Sequence, residues 1–222
     1  MSPSSEANIA ASFNFIHNII TRGLKVSVQG IQGARQPGFQ EQGSREGLFN
    51  YIRALSSVVN SHHLTEDELA FPYFRRLLPA APFDFLMNGH REMVKLLTEI
   101  NEILARGEKN DQEAADAAHL ETALVRLNEF WPPHIQVEWD EFISKADALV
   151  PVAEQLRLTQ QFQEHGVKHA VPPYLTVPFL LYNLPLDERK EFSQGMPAEL
   201  LQNLVPIVWK EKWEAMQPFL LS

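Results

Sequence analysis

Apolar residues recur along four stretches of the chain at alternating spacings of four and three, the signature of helices buried along one stripe. The first stripe contains Phe13, Ile20 and Leu24. The second runs through Leu48, Ile52, Leu55 and Val59 to Leu69, the third through Leu86, Met93, Leu97, Ile100 and Leu104, and the fourth through Leu120, Leu124, Leu127 and Trp131. No alternating strand pattern of comparable length accompanies them, so the patterning predicts an all-α bundle. Residues 25–45, rich in Gly and Gln, read as a long loop between the first two helices. Pro79 and Pro82 separate the second and third helices, and Gly107 to Asp111 the third and fourth. Beyond residue 150 the periodicity fades. "HAVPPYLTVPFLLYNLPLDERKEF" reads as an irregular, Pro-rich connection into a short helix stopped by Gly195, and "PAELLQNLVPIVWKEKWEAM" as a last helix despite Pro206. The expected organisation is a bundle over residues 1–150 and a helical extension over 151–222 packed on it.

The stripes are interrupted, and the interruptions share one chemistry. Leu55 and Val59 continue at the same spacing through His62 and Glu66 to Leu69, which points this histidine and this carboxylate inward. His63 and Asp67 fall about 100° round the helix, at the rim or in solvent. The same register places His17 between Phe13 and Ile20, His90 between Leu86 and Met93, and His134 and Glu138 after Trp131. Burying one unpaired carboxylate costs several kcal/mol, and two would be prohibitive for a fold stable by roughly 5–15 kcal/mol. A shared metal centre removes that cost, because neutral imidazoles donate to borderline metals and carboxylates both neutralise and bridge cations. His-x-x-x-Glu spacing sets two donors on one helix face ~6 Å apart, suited to one terminal and one bridging ligand. The competing explanation is a set of hydrogen-bonded core histidines with chance His-x-x-x-Glu pairs on solvated faces. The joint register of six positions on four helices favours the metal. Pro132 and Pro133 directly precede His134 and predict a kink or restart of that helix. On this register, His62→Ala or Glu66→Ala loses metal and His63→Ala does not.

Composition narrows the field. A net charge of -9 and a pI of about 5.4 disfavour nucleic acid or an anionic membrane as the main partner. The chain has no cysteine, which excludes disulfides, thiolate metal sites and cysteine nucleophiles. The N-terminus lacks a basic segment followed by a clean apolar run, and no stretch approaches the roughly 20 apolar residues of a membrane span. The expectation is a soluble, cytoplasmic protein. Nucleotide-binding and serine-hydrolase motifs are absent, as is the Glu-x-x-His signature of ferritin-like di-iron bundles. "EHGVKH" (164–169) offers His165 and His169 one helical turn apart, but Gly166 and the prolines beyond argue against a stable helix there. His119, beside the stripe residue Leu120, reads as exposed.

Taken in order, "HNII" (17–20), "HHLTEDELAFP" (62–72), "HREMVKLL" (90–97) and "HIQVEWDEF" (134–142) resemble the hemerythrin-like, or HHE cation-binding, family over about residues 8 to 145. The resemblance implies an antiparallel four-helix bundle holding two non-haem iron ions (Fe2+/Fe3+). It implies His17 and His62 as terminal ligands of one iron, His90 and His134 of the other, and Glu66 and Glu138 as bridges beside an oxo or hydroxo group. Mn and Zn also suit such donors. The C-terminal segments "VPFLLYNL" and "WKEKWEAMQPFLL" lie outside the minimal bundle and are similar to tails of fungal members of the family. Two departures from the oxygen-carrying hemerythrins stand out. Their second histidine on the third helix is Val94 here, and their His-x-x-x-x-Asp is His134-x-x-x-Glu138. The chain is thus closer to the wider HHE branch of sensors, repair-type proteins and enzymes. Loss of one nitrogen predicts an exchangeable position on the second iron, as reactive metal sites require. The leading expectation is a di-iron oxidase or oxygenase acting with dioxygen on a small organic molecule. The alternative is a non-catalytic O2 or iron sensor, carrier or store.

Overall fold

A computed structural model describes residues 8–34, 42–107 and 113–221. Every regular element among them is helical. Helix α1 spans Ile9–Ala34; α2 spans Gln42–Thr65 and continues through a π-helical turn, Glu66–Ala70, into α3, Phe71–Leu77. After the Pro79–Pro82 turn, α4 runs Phe83–Gly107. Helix α5, Glu113–Glu138, passes through a second π-helical turn, Trp139–Ile143, into α6, Ser144–Leu149. Helices α1, α2, α4 and α5 close a ring, each packed on two neighbours. His17 and His90 lie near the starts of their helices, and His62 and His134 near the ends of theirs. All four meet at one end of the ring, so successive helices run antiparallel.

The first correction concerns residues 25–45. The expected loop is helical as far as Ala34, because Leu24, Ser27 and Ile31 continue the buried stripe of α1. The rest of that segment up to residue 41 lies outside the described residues, as does most of the expected connection beyond Gly107. A second correction concerns Pro132 and Pro133, across which α5 is unbroken. Two backbone donors are missing there, and the buried anchors Trp131 and His134 flank the gap.

The chain beyond residue 150 is more regular than its pattern suggests. Helix α7 spans Val152–His169, α8 Pro173–Tyr182 and α9 Leu186–Phe192. The supposedly irregular "PPYLTVPFLLY" is mostly α8, begun by Pro173 where a missing donor costs nothing. Gly195, with φ 89°, follows α9 as expected of a terminator. The last stretch is not one helix. It is π-helical over Leu200–Val208, α-helical over α10, Lys210–Trp213, and 3-10 over Glu214–Phe219.

Leu175, Phe179, Leu184, Val205, Trp213 and Met216 from this region share one hydrophobic cluster with the bundle. A polar knot ties it further. The Arg22 guanidinium donates to the Tyr51 hydroxyl, the Asn183 side-chain oxygen and the Phe219 carbonyl, while the Tyr51 hydroxyl donates to Asn183 Oδ1 at 2.6 Å. Gly47 lies so close to the Ala215 carbonyl that any Cβ there would collide with it. Among the described residues no helix is long and apolar enough to cross a membrane.

Candidate metal centre

The two His-x-x-x-Glu turns each end where an α-helix widens into a π-helical turn: Glu66 opens the first such turn and Glu138 immediately precedes the second. Such local widenings re-aim side chains and recur at functional sites. All six residues expected inside are buried, with Glu66 and Glu138 fully so. One ligand atom each from His17, His62, Glu66 and Glu138 lies within 4.8 Å of the others, and His63, His90 and His134 form a second such group.

Glu138 links the groups. Its Oε2 lies 3.3 Å from His17 Nε2, and its Oε1 lies 2.8 Å from His134 Nε2 and 3.5 Å from His90 Nε2. Glu66 Oε2 lies between His62 Nε2 at 3.3 Å and His90 Nε2 at 3.4 Å. Some of these approaches have the distances of hydrogen bonds but not the angles. The Nε2 atoms of His17, His62, His63, His90 and His134 and all four oxygens of Glu66 and Glu138 are buried without a hydrogen-bond partner. Native folds leave only a few such atoms orphaned, seldom concentrated in one place, and bound cations would satisfy the whole set.

Protonation favours the same reading. Burial pulls His17 down to about 4. Burial, followed by repulsion from neighbouring imidazoles, holds His62 and His63 well below the usual histidine range. Near neutral pH these rings are uncharged, the form that ligates metals. Burial, then the charges of Glu138 and Asp67, push Glu66 well above the ordinary carboxylate range. Burial also opposes ionisation of Glu138, but contacts with His134 and His90 outweigh it and hold this carboxyl low. Two carboxylates in one dry site thus split into a protonated and an ionised member when no cation is present.

The largest correction to the sequence reading is His63. Expected at the rim, it is only 2 % exposed, and its ring stacks on that of His90 at 4.1 Å. The direction 100° from His62 faces α4 rather than water. Its place beside Val94 is telling, because Val94 stands where the resemblance lacked a nitrogen. The available signal was the histidine doublet itself, a spare imidazole next to a missing one. Asp67 was also expected at the rim, and at 27 % side-chain exposure it is there, yet it is occupied. It accepts a hydrogen bond from His90 Nδ1 at 2.8 Å, which turns Nε2 towards the carboxylates. Burial lowers His90, but this bond and the Glu138 contact more than offset it, and the ring is raised. Gly89 escaped sequence reasoning altogether: a Cβ there would sit 2.9 Å from His134 Nδ1.

Aromatic rings wall the centre. Trp131 lies 5.5 Å from His17 and 5.9 Å from His62, Phe13 6.0 Å from His17, and Phe71 stacks on His90 at 5.3 Å. A cavity of about 180 Å³ reaches the centre from outside, lined by Asn60, His63, Asp67, His90, Arg91 and Val94. A larger one, about 440 Å³, lies away from it beside Tyr73, Arg76 and Arg157. His119 is exposed, as expected.

Comparison with characterised proteins and with solved structures finds no match to this chain. Residues 15–146, more than half of it, match the hemerythrin HHE cation binding domain. That span contains both ligand-atom groups, and the chain belongs to the hemerythrin HHE cation-binding family.

Proposed function

We propose that the chain holds two iron ions and uses them to activate dioxygen for the oxidation of a small organic molecule. The observation that carries the reading is the convergence of five orphaned imidazole nitrogens and two orphaned carboxylates in one dry pocket. His63, His90 and His134 would hold one ion, and His17 and His62 the other. Glu138, whose two oxygens approach both histidine groups, would bridge them, joined by Glu66. Two ferrous ions held there would supply two electrons to dioxygen. Asp67 keeps the His90 lone pair aimed inward, and Phe13, Phe71 and Trp131 exclude bulk water, which strengthens every electrostatic contact inside.

The nitrogen count is three on one side and two on the other, so His17 and His62 would leave their ion with fewer protein donors than His63, His90 and His134. This differs from the expectation drawn from Val94, because His63 supplies the nitrogen that Val94 lacks. The 180 Å³ cavity is below the ~300–1,000 Å³ of sites for drug-sized ligands. That supports a substrate of few heavy atoms, with the Arg91 and Asn60 side chains available to orient it. An acidic, cysteine-free chain supports a cytoplasmic setting without nucleic-acid or membrane partners.

A second reading, a reversible O2 sensor or carrier, is favoured by His63 restoring the full nitrogen count of the oxygen-carrying pattern. Admitting O2 to the anaerobic, iron-loaded, reduced protein separates the two. An optical band that decays to an oxidised product, faster with a suitable small substrate, supports the enzyme. A stable band that vanishes when O2 is removed assigns the carrier. No response to O2 overturns both.

A further inference from the structure

Outside the buried centre, "EHGVKH" proves helical. Helix α7 continues to His169, so His165 and His169 project one turn apart with ring centroids 4.5 Å from each other. Glu68, on the first π-helical turn, reaches across so that its Oε2 lies 2.9 Å from His165 Nε2. The Thr65 hydroxyl gives its one proton to the Ser61 carbonyl at 2.9 Å. It can therefore only accept from His165 Nδ1, 3.0 Å away. A proton on Nδ1 satisfies this contact, and Nε2 is the atom that faces Glu68. A hydrogen bond at the far nitrogen that sets the tautomer is the arrangement found behind histidine metal ligands. One ligand atom each from Glu68, His165 and His169 lies within 4.8 Å of the others. Imidazole and carboxylate donors at ~2.0–2.2 Å from a shared ion fit within that spread.

We infer that Glu68, His165 and His169 form a separate site for one borderline divalent cation of the Zn2+ class. Imidazole with carboxylate selects such ions over Mg2+ and Ca2+, which prefer oxygen alone. Three protein donors leave the remaining positions to water. The site spans two parts of the chain, joining the turn that carries Glu66 to helix α7. Its occupation staples the C-terminal region to α2 and stabilises the fold by mass action. The inference is independent of which metals the buried centre holds and of what it catalyses.

The test is equilibrium dialysis of the full-length, iron-loaded protein against Zn2+, with zinc and iron measured in the same sample, for wild type and His169→Ala. The expected result is one zinc per chain more in wild type than in the variant at equal iron content. A zinc-dependent rise in Tm should appear in wild type and be lost in His169→Ala. Glu68→Gln, at a largely exposed carboxylate, should behave like His169→Ala and serves if that variant folds poorly. His119→Ala, an exposed histidine elsewhere, should keep the extra zinc. Equal zinc in wild type and both site variants, whether bound or absent, overturns the inference.

Discussion

The turns His62-to-Glu66 and His134-to-Glu138 are built alike. Each sets a histidine and a glutamate one turn apart, buries both, and continues into a π-helical turn. They differ in the residue that follows each ligand. In α2 these are His63 and Asp67; in α5 the equivalent positions are Ile135, packed against the hydrophobic core, and Trp139, 41 % exposed. Both turns address both histidine groups, the α5 turn with its two motif residues alone, whereas the α2 turn adds a further imidazole and a carboxylate that orients a ring on α4. A metal-binding motif states a minimum. The residues beside it decide how many donors the centre has.

Variants at matched positions probe that difference, beginning with the strongest. Glu138→Ala removes one of the two carboxylates that approach both groups, the one that does so with both oxygens, and elemental analysis after iron loading should find both metal equivalents lost; one full equivalent retained would show that Glu66 alone suffices as a bridge. His63→Ala should lose about one iron, while Ile135→Ala at the matched position keeps two. Two irons in both variants would reduce His63 to packing.

Next in size is an effect of pH on the metal-free protein. His17 is held at about 4 when folded against an ordinary 6.5, so between those values the unfolded chain binds the extra proton. Stability is then fully present above pH 6.5 and falls as the pH drops towards 4, by about 3 kcal/mol from this residue alone. Thermal unfolding across that window should show the fall, and bound metal should oppose it; a flat profile would contradict the buried, neutral state of the ring. The smallest effect belongs to Asp67→Asn, which should weaken iron binding by about 10–100-fold through His90 without lowering the saturating stoichiometry. Trp139→Ala should leave affinity unchanged, and equal affinities in the two would remove the positioning role of Asp67.

Helix type, bundle and the six buried His and Glu side chains were legible because a stripe buried against neighbours leaves a periodic record, and a polar residue in that stripe is conspicuous. His63 was not legible, because an angle of 100° on one helix says nothing about which helix stands there. The extent of α1 was hidden for a similar reason. Gly30 and Gly33 lower helix propensity, but a Cβ at Gly30 would meet Leu48, so that contact between helices decides the segment. In α7 and α8, Gly166 and Pro178 suggested breaks, yet packing against α2 holds both helices intact. Local signals weigh little where tertiary contacts are dense.

The knot joining Arg22, Tyr51, Asn183 and Phe219 also sets an order of events. Its partners lie up to 197 positions apart along the chain, and contacts of such range form late because a long loop must close first. During synthesis Glu138, the last residue of the buried His/Glu centre, emerges well before Phe219. At ~5–20 residues per second the interval is roughly 4–16 s. In that interval the nascent bundle already carries every histidine and glutamate of the buried centre while the face of α2 around Gly47 and Tyr51 still awaits its cover. Metal capture can thus precede closure of the fold, and a chain halted in between presents an apolar groove to whatever chaperone or neighbouring chain it meets.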